Sequence, residues 1–87
     1  MRAAVRRFAE AMERKLKTND HKRSWKDCDE QYLSMRLTQE RHELRRACQC
    51  GDAATILDEA ADVANFAMMI ADNAARRQRR AGRSRGG

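Results

Sequence analysis

Two pairs of acidic residues in this sequence have a spacing that places both carboxylates on one side of an α-helix. Glu40 and Glu43 form an E-x-x-E motif, and Glu59 and Asp62 form an E-x-x-D motif after a gap of fifteen residues. Carboxylate oxygens are the ligands that hard divalent cations such as Mg²⁺ prefer. Two such pairs on neighbouring helices are therefore candidates for a metal site.

A third acidic pair, Glu10 and Glu13, has the same spacing but a different setting. At ~100° of rotation per residue, both side chains point away from the apolar stripe of their helix. That stripe is formed by Val5, Phe8, Met12 and Leu16. We expect Glu10 and Glu13 to be solvated and to have no functional role.

The other two pairs lie on or beside apolar stripes. Glu40 is in the middle of its stripe with Glu43 on one flank, and Glu59 and Asp62 repeat that arrangement on the next helix. The stripe residues are Leu33, Leu37 and Leu44 in the first case and Ile56, Val63, Phe66 and Ile70 in the second. All four carboxylates are therefore expected to face the packed interior.

Burying one uncompensated carboxylate costs several kcal/mol, a large part of the ~5–15 kcal/mol that stabilises an ordinary domain. The four acids therefore need a neutralising partner. Buried arginines such as Arg36 and Arg41 are one solution. A divalent cation is the other solution, and the spacing of the acids does not decide between arginines and a cation.

The two motifs and their order resemble a known signature. Glu40-x-x-Glu43, followed by Glu59-x-x-Asp62 within Leu-Asp-Glu-Ala-Ala-Asp-Val-Ala-Asn, is similar to the all-α nucleoside triphosphate pyrophosphohydrolases of the MazG-like group, in a compact single-domain form. Dimeric dUTPases and phosphoribosyl-ATP pyrophosphohydrolases are related to that group. The resemblance covers roughly residues 25–74.

This resemblance implies a helical bundle of two or more subunits that hydrolyses a nucleotide. The expected reaction cleaves a nucleoside triphosphate between its α and β phosphates, giving a monophosphate and pyrophosphate. The implied cofactor is Mg²⁺, with Mn²⁺ as a substitute. Its ligands, which are also the catalytic residues, are Glu40, Glu43, Glu59 and Asp62.

Three further residues are candidates for substrate binding. Lys22 and Trp25 lie in a polar segment before the second helix, where an ammonium group suits phosphate oxygens and an indole face stacks on a base. The alternative is that Trp25 packs under the loop and Lys22 is solvated. Asn65 resembles an Asn or Asp near the end of the family motif and is expected to bond sugar or phosphate.

The elements that would position these residues are all helical. The chain has no proline and is rich in Ala, Leu, Met, Glu, Arg and Lys, which favour helices. Apolar periodicity predicts three helices, over residues 3–17, from 29 to 48 and from 53 to the arginine run. Because 87 residues bury little core alone, we expect a four-helix-bundle-type core completed by oligomerisation as a homodimer or homotetramer.

Local signals predict how these helices begin and end. Asp27 and Glu30 have the form of a capping box before the second helix. Gly51 is expected to close that helix in the left-handed conformation, and Asp52 to cap the third helix through its carboxylate.

The net charge of +6 is concentrated at the C-terminal end. Without the six arginines after residue 75, the chain has 13 basic and 13 acidic side chains. We therefore divide it into a MazG-like domain, residues 1–75, and a basic, disordered tail, residues 76–87. The tail is interpreted as a solubilising extension, with nonspecific nucleic-acid contact as the alternative.

Two broader expectations follow from the composition. The three cysteines fit no zinc-site spacing and no apolar run reaches the ~20 residues of a membrane span, so we expect a cytoplasmic protein without membrane contact. The second functional interpretation is a non-enzymatic helical binding module. In it the acids form buried salt bridges and the arginine tail contacts nucleic acid.

Overall fold

The computed structural model describes residues 1–19 and 24–86, the last four of them by their backbone alone. It contains helix α1 (Ala3–Thr18), a short 3₁₀ turn (Trp25–Asp27), helix α2 (Glu30–Cys50) and helix α3 (Ala53–Gly86). No strand occurs among the described residues. The all-α prediction is therefore confirmed, and each predicted helix is present.

Helix α1 ends as its polar C-terminal residues suggest. The Thr18 hydroxyl donates to the Arg14 carbonyl at 3.1 Å, and the Asn19 side-chain amide donates to the Lys15 carbonyl at 3.0 Å. These bonds satisfy carbonyls that the last turn leaves without helical partners. Glu10 and Glu13 are exposed, as expected from their positions on the polar face.

The N-cap of α2 was predicted two residues too early in the sequence. Asp29, and not Asp27, precedes the helix and accepts a hydrogen bond from the Tyr32 backbone N–H at 2.8 Å. Asp27 belongs to the 3₁₀ turn, whose start is capped by the Ser24 side chain. Extended backbone at Cys28 then separates this turn from α2.

The predicted left-handed conformation of Gly51 was also wrong, because its φ is −96°. The position requires glycine for a different reason. A Cβ at Gly51 would lie 2.6 Å from the Ala47 carbonyl oxygen, which accepts the Gly51 N–H. Asp52 caps α3 as predicted, accepting from the Thr55 backbone N–H at 2.9 Å.

Helix α3 is the central element, since α1, α2 and the 3₁₀ turn all pack against it. Few apolar residues are buried in the described part of the chain, and Leu33 is the one large side chain among them. They are Ala11, Leu33, Ala47 and Ala61. Most other residues of the predicted stripes are only half-buried. The four-helix-bundle core and the oligomer stay predictions.

The backbone of α3 remains helical across the arginine run to Gly86. It therefore crosses the predicted division at residue 75 without a break, and the division into domain and tail stays a prediction. No helix in the described part of the chain combines the length and apolar content needed to cross a membrane.

Candidate metal centre

Three of the four predicted acids meet at one point between α2 and α3. Glu40 comes from α2, and Glu59 and Asp62 come from successive turns of α3. One carboxylate oxygen from each lies within 4.8 Å of the other two, and all three residues are half-buried. We call Glu40, Glu59 and Asp62 the acid triplet.

Glu43 lies outside the acid triplet. Its side chain is 47% exposed and pairs with Arg46 at 3.6 Å. The expectation that all four acids face the interior is therefore corrected for Glu43, whose position on the flank of the stripe turns it toward solvent. Its role as a metal ligand stays a prediction.

Two basic side chains reach the acid triplet from either side. Arg36 donates to Glu40 at 3.0 Å, as the sequence suggested for a neutralising arginine. Lys15 of α1 pairs with Asp62 at 3.4 Å. Arg41, the other predicted neutraliser, is exposed.

Lys15 was not identified from the sequence. It occupies an ordinary position near the end of an amphipathic helix, and no motif marks it. Only the packing of α1 on α3 brings its ammonium group to Asp62.

Glu59 has a different environment from its two neighbours. It forms no ion pair or hydrogen bond within the described residues. Burial raises the pKa of Glu59 above its ordinary value, and three nearby carboxylates raise it further, those of Asp62, Glu40 and Glu43. Lys15 lowers that pKa by less than burial, Asp62 or Glu40 raises it, and the effect of Glu43 is the smallest. Within the described residues, the negative charge of the acid triplet is therefore compensated least at Glu59.

A cavity of about 910 Å³ opens beside the acid triplet. Its volume is within the range of small-molecule sites. Glu40 and Asp62 form one part of its wall together with Arg36, whose guanidinium carbon lies 5.0 Å from the centre of the Phe66 ring. The apolar part of the wall includes Leu16, Leu33, Phe66 and Met69.

Trp25, a predicted substrate-binding residue, also lines this cavity. Its indole N–H donates to Asp72 at 3.0 Å, and this bond is the main cause of the lowered pKa of Asp72. The Asn73 side-chain amide donates to the backbone carbonyls of Trp25 at 3.1 Å and Cys28 at 3.4 Å. These bonds fix the 3₁₀ turn against α3.

Asn65 is the third predicted substrate-binding residue, and it is 4% exposed. Its amide nitrogen donates to the Met12 carbonyl at 3.1 Å, which ties α1 to α3. Its buried Oδ1 has no hydrogen-bond partner in the described part of the chain, although the residue lines the cavity. Lys22, the remaining candidate, lies outside the described residues.

Comparison with family models, with curated proteins and with solved structures gave no match. The resemblance to the MazG-like group therefore depends on the two acidic motifs and their spacing alone.

Proposed function

We propose that this chain is a Mg²⁺-dependent nucleotide pyrophosphohydrolase, which cleaves a nucleoside triphosphate to a monophosphate and pyrophosphate. The observation that carries the proposal is the acid triplet beside a nucleotide-sized cavity, two of whose wall residues are Glu40 and Asp62. Lys15 and Arg36 also line this cavity. The motif resemblance supplies the reaction class.

The donor set fits a hard divalent cation. All three ligands offer carboxylate oxygens, and Lys15 and Arg36 compensate only two of the three charges. Among the described residues, Glu59 is the member of the acid triplet without a cationic partner. Glu40, Glu59 and Asp62 would hold Mg²⁺, whose charge would offset the charge that develops on the phosphate oxygens and would lower the pKa of the attacking water.

The chain's own side chains supply substrate binding. Lys15 and Arg36 present cationic groups where a polyphosphate would approach the acid triplet. Phe66 and Trp25 offer aromatic surface for a base elsewhere in the same cavity. The unpaired Oδ1 of Asn65 supports its role as an acceptor for a hydroxyl or amino group of the substrate.

The activity is tested by incubating the protein with each common nucleoside triphosphate and Mg²⁺ and measuring pyrophosphate. We expect release from at least one nucleotide, with Asp62→Asn lowering the rate at least ~100-fold because it removes one of three candidate ligands. The double variant Glu10→Gln/Glu13→Gln is the matched control, since it alters the solvated acidic pair. Absence of pyrophosphate with every nucleotide would contradict the proposal.

The two ion pairs also favour a second candidate function. Arg36–Glu40 and Lys15–Asp62 neutralise two acids without any metal, as a non-enzymatic binding module would require. Thermal unfolding with Mg²⁺ separates the two functions. At a tenfold excess over Kd, Mg²⁺ would add ~1.4 kcal/mol to the free energy of unfolding. For the binding module we expect Mg²⁺ to stabilise neither the wild type nor Asp62→Asn.

We further propose that the enzyme is an oligomer with α3 at its interface. One side of α3 carries apolar residues that are exposed or half-buried, so no other helix of the described chain covers them fully. This outer stripe consists of Leu57, Ala60, Ala64, Ala67, Met68 and Ala71. Its small side chains would allow close approach of the same helix from a second copy.

A further inference from the structure

We propose that the arginine-bearing end of α3 binds the phosphate backbone of nucleic acid, independently of the acid triplet. Helical backbone continues to Gly86, and every residue from 77 to 82 is exposed. Arg77, Arg79 and Arg80 are exposed on this extension. The helix therefore presents them at fixed spacings of ~1.5 Å per residue along its axis.

Arg77, Arg79 and Arg80 form no ion pair with another described side chain. Asp72 is the last acidic residue of the chain, and its carboxylate already accepts from Trp25 and Arg76. Arg79 is close enough to lower the pKa of Asp72, but it forms no ion pair with it in the described residues. The charge of these three exposed arginines is therefore available to an external polyanion.

The chemistry of the segment favours nucleic acid over a membrane. Guanidinium groups match phosphate oxygens through paired hydrogen bonds. Residues 76–86 contain Ala81 as their one apolar side chain besides glycine, so the helix has no apolar face to insert into lipid. They also contain no aromatic residue to stack on bases, which predicts binding without sequence preference.

The test is fluorescence anisotropy of a labelled 20-nucleotide DNA, single-stranded and duplex, with the full chain at several salt concentrations and with EDTA present. For duplex DNA, the triple variant Arg77→Gln/Arg79→Gln/Arg80→Gln should reduce the slope of log K against log salt by about 2.7. The wild type should consequently lose about 40-fold more affinity than the variant over a fourfold rise in salt.

Three comparisons decide the outcome. The variant Arg2→Gln/Arg6→Gln/Arg7→Gln removes equal charge from exposed positions at the start of the chain and should bind like the wild type. Asp62→Asn should also bind DNA normally, even if it abolishes nucleotide hydrolysis. Equal losses from the two triple variants, or tighter binding to phosphatidylcholine–phosphatidylserine vesicles than to DNA, would overturn the proposal.

Discussion

Glu59 is the member of the acid triplet whose charge the described residues compensate least. Glu10 has the same side chain and the same place in an E-x-x-acid motif, but it is exposed on α1. Glu59 is half-buried beside two other carboxylates, and its pKa is raised. Glu10 and Glu59 thus share their residue type and motif spacing, and they differ in what their helix faces pack against.

This environment makes stability depend on pH in a definite direction. The folded-state pKa of Glu59 lies above its ordinary value of 4.5. Between those two pKa values the folded protein binds more protons than the unfolded chain, so without metal this group lowers the free energy of unfolding as pH rises through the window. Above the folded-state pKa of Glu59, the free energy of unfolding stays lowered by the full cost of keeping this carboxylate charged in the folded protein.

Replacing Glu59 with Gln should therefore raise the urea midpoint at pH 7 in the absence of metal and flatten its pH dependence above 4.5. The same variant should lose most of the stabilisation by Mg²⁺, since it removes a candidate ligand. Glu10→Gln is the control and should change neither quantity. A Glu59→Gln protein that is less stable than the wild type at pH 7 without metal would argue against the uncompensated charge.

At the scale of elements, Asn73 connects the 3₁₀ turn to α3. It is 7% exposed and donates to two backbone carbonyls of the segment that carries Trp25. Asn73→Ala removes both hydrogen bonds, so we expect a loss of ~1–3 kcal/mol in the free energy of unfolding. Trp25 is the only tryptophan, and its fluorescence reports on the same turn.

Urea unfolding followed by circular dichroism and by Trp25 fluorescence measures this effect. Gln78→Ala, an exposed change on the same helix, should shift the free energy by less than ~0.5 kcal/mol. Unchanged stability and an unchanged emission spectrum in Asn73→Ala would mean that the turn is held by other contacts.

The sequence predicts the helices well because each has an apolar period of its own. It predicts their ends less well. Asp27 and Asp29 offer the same capping chemistry, and only the intervening 3₁₀ turn decides between them. Gly51 is required by the close approach of the Ala47 carbonyl, which no local pattern encodes.

The candidate site likewise includes residues that the sequence predicts and one that it does not. Glu40, Glu59 and Asp62 follow from the helical period and the apolar stripes, which is why they could be predicted. Lys15 could not, because its place beside Asp62 arises from tertiary packing of α1 on α3.

The solvent-accessible surface area of the chain bears on its state of assembly. The chain exposes 6718 Å², whereas a compact monomer of 10.0 kDa exposes about 5,200 Å². The exposed arginines of α3 and the half-buried stripes both contribute to this exposed area. Each subunit of a standard-sized protein interface buries about 800 Å², so the excess exposed area of this chain is large enough for one such interface.

We therefore expect self-association through the outer stripe of α3. Sedimentation at micromolar concentration should give a mass at least twice 10.0 kDa. Ala67 is exposed within that stripe, so Ala67→Glu should leave the fold of one subunit intact while placing a charge in the apolar interface, and it should shift the mass to that of a monomer. Ala54→Glu makes the same change at an exposed position of α3 outside the stripe and should leave the assembly unchanged. A wild-type protein that sediments at 10.0 kDa would show that the thin core around Leu33 is sufficient on its own.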